Sequence, residues 1–337
     1  MAEDASGREH CLAVTDTVYA ATLGAAQQRK QRNYPDQAID AARSAYAELT
    51  REYRRRSAAG QCFTIMELDR VYRDVLDEYG IDDPYLEIKQ QENERAVKLF
   101  AGLVAEHDLW SGEPLIRKLT AGIFAGNLFD LGTVETLNHY KINGAGFHQQ
   151  IETLPERPWL IDDYDRWCEF LTQRAVPGRL MYFVDNAGAD FVLGCVPLVR
   201  HLADCGAKVI LAANDKPCFN DMTVQECQEV LTMLAREDEK LGKLLARGSI
   251  EVIGTGGGYP QVDLANLSDR CNDAAGDCEL LILEGMGRAL ESNLHTRFLC
   301  PTLKIAVVKD KWLAGRLGGR LFDLVCRFEL AGKSPIN

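Results

Sequence analysis

The stretch Met181-Tyr182-Phe183-Val184-Asp185-Asn186-Ala187-Gly188-Ala189-Asp190 turns from apolar to acidic in a single step. An apolar run ends in an acid and its amide, a glycine comes next, and a helical pattern extends from Ala189 to about Cys205. The order is strand, polar turn, helix. In an open parallel sheet, ligands gather outside the carboxyl ends of the strands. Asp185 and Asn186 therefore stand where chemistry is expected. Two hard oxygen donors at such a point suit a divalent ion such as Mg²⁺ or Mn²⁺. The same pair also serves for a helix cap and a turn, and this segment alone leaves both readings open.

Downstream, apolar runs of similar length alternate with helical stretches, which predicts parallel β-α units. The predicted strands are Leu180–Val184, Lys208–Ala213, Ser249–Ile253, Glu279–Leu283 and Leu303–Val308. A helix carrying Phe191, Val192, Val196, Val199 and Leu202 comes after the first. Another, from about Thr223 to Ala246, carries Val230, Leu231, Leu234 and Leu241. The expected fold class is α/β, a doubly wound and mostly parallel sheet with helices on both faces.

Upstream the period is helical throughout. Ile39, Ala42, Tyr46, Leu49 and Tyr53 mark one face of a helix over Asp36 to Arg55. Thr64 and Glu67 predict a capping box, with Phe63 and Leu68 as its hydrophobic staple. Leu68, Val71, Tyr72, Val75 and Tyr79 share a face, and Gly80 ends that helix. Asp83-Pro84 opens the next, which runs toward Val104 through a charged, solvated stretch from Lys89 to Lys98. A shorter helix covers about Glu113 to Phe124. The expected division is a mainly helical subdomain over 1–175 and an α/β core over 176–337.

The 337 residues are 46% hydrophobic with a net charge of −12. That charge argues against a nucleic-acid backbone or an anionic membrane as main partner. It leaves an anionic small molecule open, because a bound metal inverts the local field. The eleven cysteines form no C-x-x-C pair, no leader-like segment is recognised, and no apolar run reaches the ~18 residues of a membrane span. A reducing, cytoplasmic setting is expected. The six histidines show no H-x-H or H-E-x-x-H spacing, which argues against a histidine-built zinc site.

The residues just beyond each predicted strand point to function. After the second strand come Asn214, Asp215 and, past Pro217, Asn220-Asp221-Met222-Thr223. After the third comes Gly254-Thr255-Gly256-Gly257-Gly258, after the fourth Glu284-Gly285-Met286-Gly287-Arg288, and after the fifth Lys309. Parallel strands bring these groups to one edge. Carboxylates and an amide for a metal, glycine turns with exposed N–H groups, and two cations are what a phosphate ester needs. Each piece has a plainer explanation. Asn220 to Thr223 can simply start a helix. The glycine run is no dinucleotide fingerprint. Arg288 and Lys309 can be surface cations. Asp190 suits the first turn of any helix, Asn127 and Asp130 suit a tight turn, and Cys218 reads as a small buried thiol.

Asp-Asn-x-Gly-Ala-Asp at 185–190, Asn-Asp-x-Thr at 220–223 and Glu-Gly-Met-Gly-Arg at 284–288, taken together, resemble the damage-control phosphatases. This is the metal-dependent family once catalogued as domain of unknown function 89. The last motif resembles the signature of its second subfamily, which includes stand-alone plant proteins and the phosphatase domain of pantothenate kinase isoform-four-like proteins. Asp83-Pro84-Tyr85 with Lys89 and Asn93, and Gly126-Asn127-x-x-Asp130-x-Gly132, are also similar to family motifs. The resemblance covers roughly residues 80 to 330. It implies a Rossmann-like α/β core with an N-terminal helical subdomain, and hydrolysis of phosphomonoesters supported by Co²⁺, Ni²⁺, Mn²⁺ or Mg²⁺. By motif it implies Asp185, Asn186 and Asp221 as metal ligands, with the Glu284, Gly285, Met286, Gly287 and Arg288 loop against the substrate phosphate. Subfamily members imply 4′-phosphopantetheine, its oxidised forms and some sugar phosphates as substrates.

The resulting expectation is a metal-dependent phosphatase acting on a small phosphoester. Asp185 and Asp221 carry the catalysis. Asn127, the Glu284–Arg288 loop and Lys309 bind the phosphate, with Arg288 and Lys309 stabilising its negative oxygens. Direct attack by water and an aspartyl-phosphate route both stay open. So do a nucleotide-cofactor enzyme, as methyltransferase or oxidoreductase, and a non-catalytic phosphate-binding protein. Neither nucleic acid nor membrane is expected as a partner, and the native substrate, the metal and any homo-oligomer are not legible.

Overall fold

A computed structural model describes residues 5–28, 34–128, 146–173 and 176–332. The chain forms two compact units, one of residues 1–89 with 217–220 and one of 90–216 with 221–337. This division by contacts falls at Lys89. The change from helical to β-α periodicity marks where the strands begin, but the helices just before it pack with the sheet.

The first unit is built from α1 (Ala5–Gln28), α2 (Asp36–Ala58), α3 (Ile65–Glu78) and the start of α4 (Leu86–His107). The predicted apolar faces meet in a core of Tyr19, Leu23, Ile39, Ala42, Tyr72, Val75, Leu76 and Ile81. Thr64 caps α3 by accepting from Glu67 N at 3.1 Å. The Glu67 carboxylate does not complete the box; it takes Tyr53 Oη and Arg56 Nη1, both at 2.9 Å. Phe63 and Leu68 share a small cluster with Cys11, Leu12 and Tyr53, as a staple requires. Lys89 corrects the expected solvated face. It is fully buried and paired with Asp83 at 3.1 Å. Its place in a run of polar residues hides it, because polarity in sequence does not report burial.

In the second unit, α5 (Gly112–Leu128), α6 (Phe147–Glu152) and α7 (Tyr164–Gln173) accompany a seven-stranded sheet. The strands are β1 (Ile161–Asp162), β2 (Arg179–Phe183), β3 (Lys208–Ala213), β4 (Ile250–Gly254), β5 (Leu280–Glu284), β6 (Thr302–Val307) and β7 (Leu324–Glu329). Their order is β1-β7-β6-β5-β2-β3-β4, and only the β6–β7 pair is antiparallel. All five predicted strands form, each within a residue of its expected ends. Strands β5 and β6 are buried along their whole length; β5 reads as an apolar run up to Glu284, while β6 also carries the buried Lys304, whose ammonium reaches Leu294 O, Thr296 O and Glu329.

After β2 the crossover helix α8 (Val196–Asp204) leads to β3. The expected single helix over 223–246 is two, α9 (Val224–Glu237) and α10 (Glu239–Ala246). Asp238 breaks the run: extended at φ −135°, it caps α10 by accepting from Leu241 N at 2.6 Å. Helices α11 (Asp269–Gly276) and α12 (Lys311–Arg316) complete the connections. From β2 the chain winds outward through β3 and β4, then returns to place β5 on the other side of β2. The topological switch point thus lies between the carboxyl ends of β2 and β5, the position where an open α/β sheet leaves a crevice. Among the described residues, no helix is long and apolar enough to cross a membrane.

Candidate active site

Both strands that flank the switch point end in residues whose types point to chemistry. Beyond β2, Val184 N still pairs with Ala212 O at 3.0 Å, which carries Asp185 and Asn186 just past the sheet edge. A π-helical turn, Asp190–Cys195, comes next; a second, Met286–Glu291, comes after β5. Such turns are uncommon and recur at functional sites. Between them runs an extended segment: Met222 N donates to Asp185 O at 2.9 Å, Asn214 N to Met222 O at 3.2 Å, and Asn186 pairs with Asp221 across an antiparallel bridge. That pairing sets Asp221 beside Asp185. Thr223, the next residue but one, also caps α9 in a full capping box with Glu226. The plain explanation for this motif and the functional one are both realised, on different residues.

Arg288 joins the two acids. Its Nη1 donates to Asp185 Oδ1 and its Nη2 to Asp221 Oδ2, the latter at 2.7 Å. All three side chains are buried. Arg288 also reaches Pro260 O at 3.1 Å, and Asn214 Nδ2 spans Asp221 Oδ2 and Tyr259 O, each at 3.1 Å. Gly285, at φ +90°, leaves the room this needs: a Cβ there would collide with the Asp185 carboxylate.

A second layer lies behind the acids. Asn127, fully buried at the end of α5, donates through Nδ2 to Asp185 Oδ2 at 3.0 Å and Asp190 Oδ2 at 3.1 Å. Its Oδ1 accepts from Val307 N at 3.1 Å. With both ends of its amide engaged inside the protein, Asn127 holds the carboxylates. Glu284 also lies behind them. It is buried and accepts from Tyr182 Oη at 2.7 Å. Burial, followed by the nearby Asp190 charge, holds its carboxyl well above the ordinary range. Lys309, also buried, donates to Asn127 O at 3.1 Å and lies close enough to Asp190 and Asp185 to favour their charged forms. Asn93 accepts from Gly188 N at 2.7 Å and so fastens the turn after β2.

Burial pushes the Asp185 carboxyl up to about 8; Arg288 opposes this, and the neighbouring Asp221 and Asp190 add to it. Asp190 is raised for the same first reason. Desolvation thus outweighs the neighbouring cations, and the cluster is short of positive charge.

The predicted ligands Asp185, Asn186 and Asp221 are brought together, as are Arg288 and Lys309. Tyr182 joins them as a site residue that sequence reasoning misses, and Asn214, noted in the sequence only as a polar residue beyond its strand, joins them too. Tyr182 looks like any member of an apolar run. Asn214 carries a signal, being the first polar residue after β3. The glycine run after β4 closes on Asp215, which accepts from Gly256 N at 2.5 Å. Cys218 is buried. Asp130 and Gly132 lie outside the described residues.

Residues 14–325 match the family described as the damage-control phosphatase ARMT1-like domain. A damage-control phosphatase of Arabidopsis thaliana is 38% identical over 268 residues, covering 77% of this chain and 71% of its own. A 4′-phosphopantetheine phosphatase of Mus musculus is 31% identical over 309 residues, covering 77% of this chain and 37% of its own. Pantothenate kinase 2 of Oryza sativa is 34% identical over 309 residues, and the chain spans only 34% of that protein's length. A crystal structure of a DUF89 family protein from Pyrococcus horikoshii shares the fold, with a TM-score of 0.65 at 19% identity over 96% of this chain and 98% of that one. The acids at the switch point and the match along most of the chain agree: this protein belongs to the ARMT1-like damage-control phosphatase family.

Proposed function

We propose that this chain hydrolyses small phosphomonoesters with one divalent cation held by Asp185, Asn186 and Asp221, and that 4′-phosphopantetheine, its oxidised forms and sugar phosphates are its substrate class. The observation that carries the reading is Arg288 locked between Asp185 and Asp221 at the switch point. A guanidinium there is a cation standing where two buried carboxylates require one.

The donor set fits a hard divalent ion. Two carboxylates and an amide oxygen are the ligands Mg²⁺ and Mn²⁺ accept. Asn186 spends its Nδ2 on Asp185 Oδ2 at 2.6 Å and Asp190 Oδ2 at 2.8 Å, so its Oδ1 is the end left for a ligand. Among the described residues no three His, Cys, Asp or Glu side chains make a ready metal cluster, so the amide is needed to complete the set. Family members are metal-dependent in general. When bound, such an ion would neutralise a phosphoryl oxygen and acidify a water.

The chain's own residues supply the remainder. Asn127 and Lys309 fix the acids from behind, so the oxygens are oriented before substrate arrives. Arg288 offers a planar fork suited to phosphoryl oxygens as well as carboxylates. Gly285 and Gly287 let the backbone come close. An acid and an amide stand where a dinucleotide's pyrophosphate would lie, which disfavours the nucleotide-cofactor alternative. Phosphate release from 4′-phosphopantetheine, its sulfonate form and a set of sugar phosphates ranks the substrates. Turnover is expected on at least one of these classes, and no release from any of them with any divalent ion would overturn the proposal.

A further inference from the structure

Arg288 is held through its backbone as well as by the two acids. Asn293 stands buried just past the π-helical turn Met286–Glu291 that carries Arg288. We propose that Asn293 is a positioning residue for the reaction: it ties the backbone of Arg288 to the loop that the Arg288 guanidinium reaches, and so fixes where that guanidinium stands. The proposal rests on Arg288 facing the substrate phosphate.

The ties close a ring. Arg288 Nη1 donates to Pro260 O at 3.1 Å. Farther along the same loop, Val262 O accepts from Asn293 Nδ2 at 3.2 Å, and that nitrogen also donates to Arg288 O at 3.1 Å. The path thus leaves Arg288 by its side chain, passes through Pro260 to Val262 and Asn293, and returns to the Arg288 main chain. Two carbonyls can be met only by a donor, so the amide nitrogen of Asn293 is the end that faces them. Ser292 braces the turn from the same side. Its Oγ accepts from Asn293 Nδ2 at 2.8 Å and donates to Gly287 O at 2.8 Å. Gly287 permits the closure, because a Cβ there would collide with Pro260 O. The loop from Tyr259 to Val262 lies in no helix or strand, so its carbonyls depend on side-chain donors. Asn214 serves Tyr259 O at 3.1 Å, and Gln261 Nε2 reaches Glu291 at 3.4 Å. Asn293 is the tie that returns to Arg288 itself. Without it the loop and the turn can part, and a guanidinium displaced by a fraction of an ångström no longer matches the oxygens of a phosphoryl group.

The test takes two readouts on the full chain. One is the solvent exchange of the Arg288 side-chain N–H protons, followed by nuclear magnetic resonance on ¹⁵N-arginine-labelled protein, with Arg288→Ala assigning the signal. The other is steady-state phosphate release from 4′-phosphopantetheine with Mn²⁺. Asn293→Ala should speed the exchange and lower kcat/KM, each about tenfold. On an Arg288→Ala background the same substitution should lower kcat/KM no further, because coupled positions do not add. Asn293→Asp, which keeps the shape and loses the donor, should behave alike and carries the test if thermal melts show Asn293→Ala unfolded. Asp238→Ala, which removes the cap of α10 in the same unit, should leave both readouts as in wild type. Unchanged exchange in a folded Asn293 variant overturns the positioning role. So does quickening of equal size in Asp238→Ala, since general softening would then suffice. A loss of turnover that persists in full on Arg288→Ala overturns it as well, because Asn293 would then act by another route. Turnover that Arg288→Ala does not disturb removes the premise, and this inference with it. If wild type releases no phosphate, the phosphatase reading falls, and the exchange measurement still decides whether Asn293 positions Arg288.

Discussion

Arg288 shows how one side chain can hold two buried acids together. It neutralises Asp185 and Asp221, and it opposes the burial that drives Asp185 toward protonation. Removing one partner of a buried charge group leaves the others uncompensated, at roughly 3–5 kcal/mol. Arg288→Ala should therefore lower the unfolding free energy in EDTA by about 3 kcal/mol and phosphate release by on the order of a hundredfold. Added Mn²⁺ should raise the melting temperature of the variant by more than it raises that of the wild type, because the ion takes over the missing charge. A variant as stable as wild type in EDTA would contradict this electrostatic role. His107 makes a separate prediction. Burial lowers its pKa to about 4 from the ordinary 6.5, aided by Lys118 and Arg200 and opposed by Glu106, and its Nδ1 has no partner among the described residues. Folded, the ring stays neutral; unfolded, it takes a proton near 6.5. Between those values the unfolded chain binds more protons, so stability is complete above about 6.5 and falls as pH drops toward 4. Urea unfolding across this window should show the slope in wild type, worth up to about 3 kcal/mol, and lose it in His107→Gln. Asp185 and Asn186 stand out in the sequence because a polar residue directly after an apolar strand has few reasons to be there, whereas Asp221, several residues beyond the end of β3, stands out only with its neighbours Asn220 and Thr223. Lys89 misleads because its chemistry announces contact with water, whereas a folded chain also uses such groups to hold one another.

Helix α5 depends on closeness. Gly122 and Gly126 face the π-helical turn after β2, where a Cβ on Gly126 would meet Asp190 Cα at 2.8 Å and one on Gly194 would meet Gly122 O at 3.2 Å. This crossing delivers Asn127, the next residue, to Asp185 and Asp190. Backbone atoms do not yield as flexible side-chain ends do. Gly126→Ala should therefore push α5 outward and reduce phosphate release by on the order of tenfold or more, with the helix content by circular dichroism unchanged. Full activity in that variant would show that the close crossing is not needed. The elements legible in the sequence are those with a single burial environment: strands buried on both faces, and helices with one apolar stripe. Strand β7 escapes notice because it pairs antiparallel with β6 and needs no long crossover helix to announce it. Strand β1 has only two residues. The break at Asp238 is hidden because an acid inside a helical period looks like a solvated position until its cap bond is seen.

Two bodies share one chain, and the family match runs through both, from residue 14 to 325. The doubly wound class of the sheet was legible because right-handed β-α-β crossovers allow few alternatives. The boundary between the bodies was not, because packing partners distant in sequence, such as Arg73 and Pro217, decide it. Against a net charge of −12, the proposed ion, with Arg288 and Lys309, would supply the local positive charge that an anionic substrate needs. Removing that ion should destabilise the protein as well as silence it, by about 2.7 kcal/mol at a hundredfold excess of metal over its dissociation constant. A shift in the thermal melt on adding EDTA checks this. The most direct measurement is phosphate release from 4′-phosphopantetheine by EDTA-stripped protein, before and after adding back Mn²⁺, for wild type and Asp185→Asn. Wild-type release should vanish with EDTA and return with the metal, while folded Asp185→Asn stays silent in both. Release that persists in EDTA, or metal-supported release undiminished in Asp185→Asn, would contradict a metal held by Asp185.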